Sequence, residues 1–61
     1  MKALCIKDTG EFKTGIVYNS CPVLCGYQIS SDTEHTFREA DIKSVHVFLD
    51  SDYAEHFRTA R

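Results

Sequence analysis

The longest stretch without a charged residue, residues 14–31, is broken by Asn19, Ser20, Pro22 and Gln28 into short β-type runs. It is therefore neither long nor apolar enough to cross a bilayer. Gly15 leads into Ile16-Val17-Tyr18, a β-branched and aromatic triplet of the kind that fits a half-buried pleated surface. The run continues through Asn19-Ser20-Cys21 to Pro22, which has no N–H to give a central ladder, so a second strand is predicted to bend or end near Pro22. Val23-Leu24-Cys25 closes on Gly26, and Tyr27-Gln28-Ile29-Ser30 alternates apolar and polar residues. The expected product is a hairpin centred between Cys21 and Gly26.

The flanking segments extend the pattern. Ala3-Leu4-Cys5-Ile6 reads as a first strand closed by Lys7-Asp8-Thr9-Gly10, and the two glycines around Phe12 make residues 8–15 a loop with Phe12 as its anchor. After the polar Ser31-Asp32-Thr33-Glu34, β-type residues resume at His35-Thr36-Phe37, predicting a second hairpin over residues 27–37. Arg38-Glu39-Ala40-Asp41 suits a single helical or 3₁₀ turn, with Ile42 as a core plug. Val45, Val47 and Leu49 alternate with Ser44, His46 and Phe48, so 45–49 reads as a last strand with one fully apolar face and a second made partly apolar by Phe48. Asp50-Ser51-Asp52 is a helix-start signal, and Asp52 with Glu55 has capping-box spacing. A short helix is predicted from Tyr53 to about Ala60, with Tyr53 and Phe57 sharing one face and Arg58 and Arg61 near the dipole's negative end.

A chain of 61 residues has room for one domain, which buries only about 60% of the surface its unfolded form exposes. Such small cores are often supplemented by a disulfide, a metal or a second subunit. Hydrophobic and charged fractions of 43% and 26% lie in the globular range, which excludes disorder and low complexity. Three cysteines (Cys5, Cys21, Cys25) are an odd number, unlike a secreted disulfide scaffold, and Lys7 and Asp8 interrupt the N-terminal apolar run before it could serve as a signal segment. These features predict a reducing, cytoplasmic setting. A net charge of −2 attracts nucleic acid little and is too small for a polyanion mimic.

The order Leu4-Cys5-Ile6, Thr14-Gly15-Ile16-Val17-Tyr18, Gly26-Tyr27-Gln28-Ile29, then Thr36-Phe37 and Ala40-Asp41-Ile42, resembles small phage and prophage proteins with an SH3-like barrel. The likeness covers residues 1–42, and its motifs are short and structural. It implies an accessory protein of a virus or mobile element that acts by binding a host protein, with no catalytic residues. Those proteins usually end soon after the plug, whereas this chain continues through Val45 to Arg61.

Reaction chemistry finds little footing. Cys21 and Cys25 are separated by three residues, and Cys5 with His35 or His46 could in principle complete a zinc site. Their apolar spacer lacks the knuckle pattern, and free cysteines commonly serve as small buried hydrophobes. A Cys–His nucleophile has no accompanying oxyanion or nucleophile-turn signature. The carboxylates Asp32, Glu34, Asp41, Asp50, Asp52 and Glu55 read as a solvated face and helix caps. Tyr18, Tyr27 and Phe37 beside Lys7, Lys13 and Arg38 could stack bases, but the basic residues alternate with acids and core packing is the favoured role of the aromatics.

The sequence therefore predicts a mainly β domain over residues 1–61 with a short C-terminal helix, a small SH3-like barrel of about five short strands. Its barrel-like part spans 1–43 and a strand-and-helix extension spans 44–61. The expected role is a non-enzymatic binding protein, without metal or cofactor, that engages a host protein, with a homodimer as a further possibility and nucleic acid as the alternative ligand. Exposed strand edges favour such contacts, and Val45, His46, Val47, Phe48, Tyr53 and Phe57 are the expected contact residues.

Overall fold

A computed structural model of the chain describes residues 1–34, 37 and 44–60. Strands β1 (Lys2–Cys5), β2 (Val17–Val23), β3 (Gly26–Ser30) and β4 (Val45–Leu49) are followed by helix α1 (Asp50–His56) and strand β5 (Phe57–Ala60). All pairings are antiparallel, in the order β4-β3-β2-β1-β5. The fold is thus mainly β with one short helix towards the C-terminus, arranged as a small SH3-like barrel. Strand β2 serves both halves: Val17, Tyr18 and Asn19 pair with β1, while Ser20 to Val23 pair with β3.

Strand β2 includes Pro22 and ends next to it, at Val23, as expected, and the hydrogen-bond phase explains how the proline is accommodated. The Ser20 N–H donates to the Met1 carbonyl at 2.9 Å, so even-numbered β2 residues direct their N–H towards β1. Pro22 falls in that phase beyond the last residue that β1 pairs, so its missing N–H removes no ladder bond. Leu24 and Cys25 form the tight turn, and Gly26 is required after it: a Cβ there would run into the Phe48 carbonyl oxygen.

The hairpin expected over residues 27–37 is not the one formed. Strand β3 takes β4 as its partner, from Gly26↔Leu49 to Ser30↔Val45, and Phe37 lies in a turn. Five β-type residues in 45–49 offer a longer ladder than the three at 35–37. The expected turn at 38–41 and the Ile42 plug lie outside the described residues.

Residues 44–61 are likewise no extension of a finished barrel. They supply β4 and β5, and β5 pairs with the whole of β1 from Cys5↔Phe57 to Lys2↔Ala60. The helix is correspondingly earlier and shorter than predicted. Leu49 is its N-cap, Asp50 and Asp52 face the positive end of the dipole, and Phe57 is already extended at φ −136°. The Phe57 N–H still donates to the Tyr53 carbonyl, and the Arg58 guanidinium bonds the Ala54 and Phe57 carbonyls, satisfying the groups a helix end leaves open. A seven-residue helix is marginal alone, so β1 pairing and burial of Phe57 override the local helical preference of 57–60.

The core consists of Ala3, Cys5, Phe12, Tyr18, Ile29, Tyr53 and Phe57, with Tyr27 and Phe48 packed against it. Phe12, carried by the β1–β2 loop, meets Tyr18, Phe48 and Phe57 edge-to-face at ring separations of 4.9, 5.4 and 5.5 Å. Tyr53 stacks on Tyr27 at 4.0 Å and on Phe57 at 5.7 Å, and its hydroxyl lies 2.8 Å from Thr59 Oγ1. Ser20 is also buried on this inner side, yet its Oγ has no hydrogen-bond partner among the described residues.

Phe12→Ala should cost about 3–5 kcal/mol, comparable with the whole stability of a core this small; urea titration followed by circular dichroism should find the variant largely unfolded in buffer. Ser20→Ala removes a hydroxyl that gains nothing from burial, so the same titration should show stability unchanged or raised by up to about 1 kcal/mol. A clear loss would mean that the hydroxyl is bonded after all.

Candidate functional site

Which way β4 faces follows from its register. Residues directly opposite one another share a face, so Tyr27↔Phe48 and Ile29↔His46 belong to the inner side, while Gly26↔Leu49, Gln28↔Val47 and Ser30↔Val45 belong to the outer side. The fully apolar alternation of Val45, Val47 and Leu49 therefore points outward. Val47 is 60% exposed and Leu49 52%, with Val45 half-buried. At the neighbouring β2–β3 turn Leu24 is fully exposed, and Cys21 and Val23 of β2 continue the outer face half-buried. This aliphatic surface has few polar interruptions, the type of patch that marks contact sites.

The inner side of β4 is held by the β1–β2 loop. His46 sits edge-on to Phe12 at 5.5 Å, with its Nε2 3.6 Å from a Glu11 carboxylate oxygen, and Phe48 packs on Phe12 and Phe57. The loop itself is a miniature hairpin. Thr9 and Phe12 exchange backbone hydrogen bonds of 3.1 and 2.8 Å around Gly10, whose φ of +51° suits the first central position of a primed turn. Asp8 Oδ1 accepts from both the hydroxyl and the N–H of Thr14 at 2.6 Å, and the Lys13 N–H donates to the Tyr18 hydroxyl at 2.9 Å. Further back, the Ile6 N–H donates to the His56 carbonyl at 2.7 Å and Lys7 Nζ reaches Glu55 at 3.3 Å. Phe12 is thus fixed from both sides, and β4 is aligned by what Phe12 touches.

The expected contact residues divide. Val45 and Val47 lie on the outer face with Leu49, whereas His46 and Phe48 lie on the inner side, Phe48 half-buried and His46 exposed at the strand's border. Tyr53 and Phe57 are in the core, so neither belongs to a docking surface. Their spacing on one helix face was the correct signal for shared packing, but that face covers the chain's own barrel. Sequence reasoning missed Leu49 and Leu24 as surface residues, although both stand beside turn or cap signals.

The other candidates separate in space. Cys5 is buried, its thiol donating to the Lys7 carbonyl at 3.2 Å, while Cys21 lies on the outer face and Cys25 in the exposed turn. Among the described residues no three His, Cys, Asp or Glu side chains converge to hold a metal, and no pocket is enclosed. His35 and Arg38 lie outside the described residues. Tyr18 is buried and Tyr27, half-buried, is stacked on Tyr53, so both rings pack in or against the core. No described helix is long and apolar enough to cross a membrane.

The hydrogen bonds from the Thr14 side chain, then from its N–H, hold the Asp8 carboxyl below the ordinary aspartate range, and Lys13 adds to this. A depressed folded pKa means that the contribution is present above the unfolded value of about 3.9 and is lost as pH falls through the lower folded value. The protection of the Thr14 amide from exchange, followed by NMR between neutral and acid pH, should therefore fall only below the ordinary aspartate range of about pH 4; in Asp8→Asn that acid-dependent loss should vanish. Comparison with protein-family models, with curated proteins and with solved structures finds no match to this chain.

Proposed function

We propose that this chain is a non-enzymatic protein-binding module whose docking element is the outer face of β4. The observation that carries this reading is the outward projection of Val47 and Leu49 from a strand whose inner side is anchored in the aromatic core. A rigid strand presenting aliphatic side chains offers a contact surface at little ordering cost. Neighbouring Leu24 widens it, and the acids Asp50 and Asp52 at its end give it a polar rim.

The likeness of residues 1–42 to phage and prophage barrels supports a host protein as the partner and the host cytoplasm as the setting. In this reading the protein modulates its partner by occupying a surface. Nucleic acid fits less well, because the aromatics that would stack bases are engaged in the core and the net charge is −2.

Affinity capture from a bacterial lysate should recover a protein that resists salt, and Leu49→Lys should lower its recovery roughly tenfold or more, in line with losing one buried aliphatic anchor. Recovery of nucleic acid alone, released by salt, would sink the proposal in favour of the electrostatic alternative.

A further inference from the structure

Strand β4 offers more than side chains, because it is also the end strand of the sheet. The phase of its backbone can be read from one bond: the Ser31 N–H donates to the Ser44 carbonyl at 2.9 Å, making 31 and 44 a hydrogen-bonded pair. Antiparallel pairs alternate, so Ser44, His46 and Phe48 direct their backbone groups to β3, whereas Val45, Val47 and Leu49 direct theirs away from it. Among the described residues no strand pairs with that edge. The residues whose side chains form the aliphatic outer stripe are therefore also those whose N–H groups point off the sheet.

The opposite end of the sheet is unlike it. On β5 the Phe57 N–H is taken by the Tyr53 carbonyl and the Phe57 carbonyl by Arg58, so the outward backbone groups at the start of that edge are already bonded. Within strand β4 itself the usual protecting residues are lacking, since Val45–Leu49 contains no lysine, proline or carboxylate.

We infer that the occupant of this edge is β4 of a second copy, paired antiparallel about a two-fold axis at Val47. This rests on β4 being the docking element. The sequence is self-complementary in that register: Val47 meets Val47, Val45 meets Leu49, and His46 meets Phe48, so no like charges oppose each other within the strand. Val47 exchanges N–H and C=O with its counterpart, and each Leu49 N–H meets the other copy's Val45 carbonyl. The Leu49 carbonyl, at the helix N-cap, is reserved for α1. Asp50 and Asp52 of the two copies fall at opposite ends of the pair. The outcome is one continuous aliphatic stripe from both outer faces, a bivalent version of the surface proposed above.

Because Val47 lies on the axis, one substitution there acts twice. Light scattering on the full chain at hundreds of micromolar should give twice the 6.9 kDa monomer mass. Val47→Lys and Val47→Glu should each be monomeric, since each places two like charges face to face, and mixing them in equal amounts should restore the dimer. Leu24→Lys, exposed but off the edge, should remain dimeric. In the unmodified protein the Val47 and Leu49 amides should gain protection from hydrogen exchange as concentration rises. Monomeric wild type, a dimer unaffected by Val47→Lys, a mixture that stays monomeric, or loss of the dimer in Leu24→Lys would each overturn self-pairing. A monomer that still captures a protein through Leu49 rejects self-pairing alone, and a dimer that captures none rejects the docking reading alone.

Discussion

Insertion of Phe12 into the barrel is the interaction on which the other elements depend. One ring touches β2 through Tyr18, β4 through His46 and Phe48, and β5 through Phe57. These strands come from distant parts of the chain, β4 and β5 at the two ends of the strand order and β2 at its centre. A core of this size cannot afford separate clusters in its two halves. Phe12 joins them, and a loop residue can do so because the Thr9–Phe12 hairpin, the Asp8–Thr14 bonds and the Lys13–Tyr18 bond remove the loop's freedom.

The same insertion decides which side of β4 faces out. A shift of register by one residue would exchange its faces, placing Val45, Val47 and Leu49 inside and Phe48 outside. An aromatic ring on Phe12 favours another ring edge-on over an aliphatic chain, and Phe48 contacts Phe57 as well at 5.0 Å. Gly26 adds a local constraint, since the β3 backbone approaches Phe48 and Leu49 too closely for a side chain. Aromatic geometry on one side of the strand thus leaves aliphatic surface on the other.

The strands were legible from the sequence wherever local pattern and final pairing agree. Alternation located Val45–Leu49, glycine and proline bracketed the β2–β3 turn, and Phe12 between two glycines was readable as an anchor. What could not be read locally was set by distant partners. Residues 57–60 have helical spacing with Tyr53, yet four consecutive pairings with β1 draw them into a strand. The division at residue 43 had the same origin, because a resemblance confined to 1–42 cannot reveal that the remainder closes the barrel. Alternation also identified an apolar face on β4 without specifying its direction, which depends on Phe12.

That direction carries an energetic argument. Burying a Val or Leu side chain contributes roughly 1.5–3 kcal/mol, and a core of this size supplies only about 3–5 kcal/mol in all. Val47 and Leu49 withheld from the core therefore represent a quantity comparable with the stability of the fold itself. A covering surface recovers that contribution without rearranging the inside, because His46, Phe48 and the Phe12 loop already fix the strand from behind. Strand addition recovers a second contribution, from outward backbone groups of β4 that no strand pairs with among the described residues. A second copy provides the strand addition and a partner on the joined outer stripe provides the cover, both through the same strand, which ties the proposed contacts to the constraint that shaped the fold: too little interior for the aliphatic side chains the sequence contains.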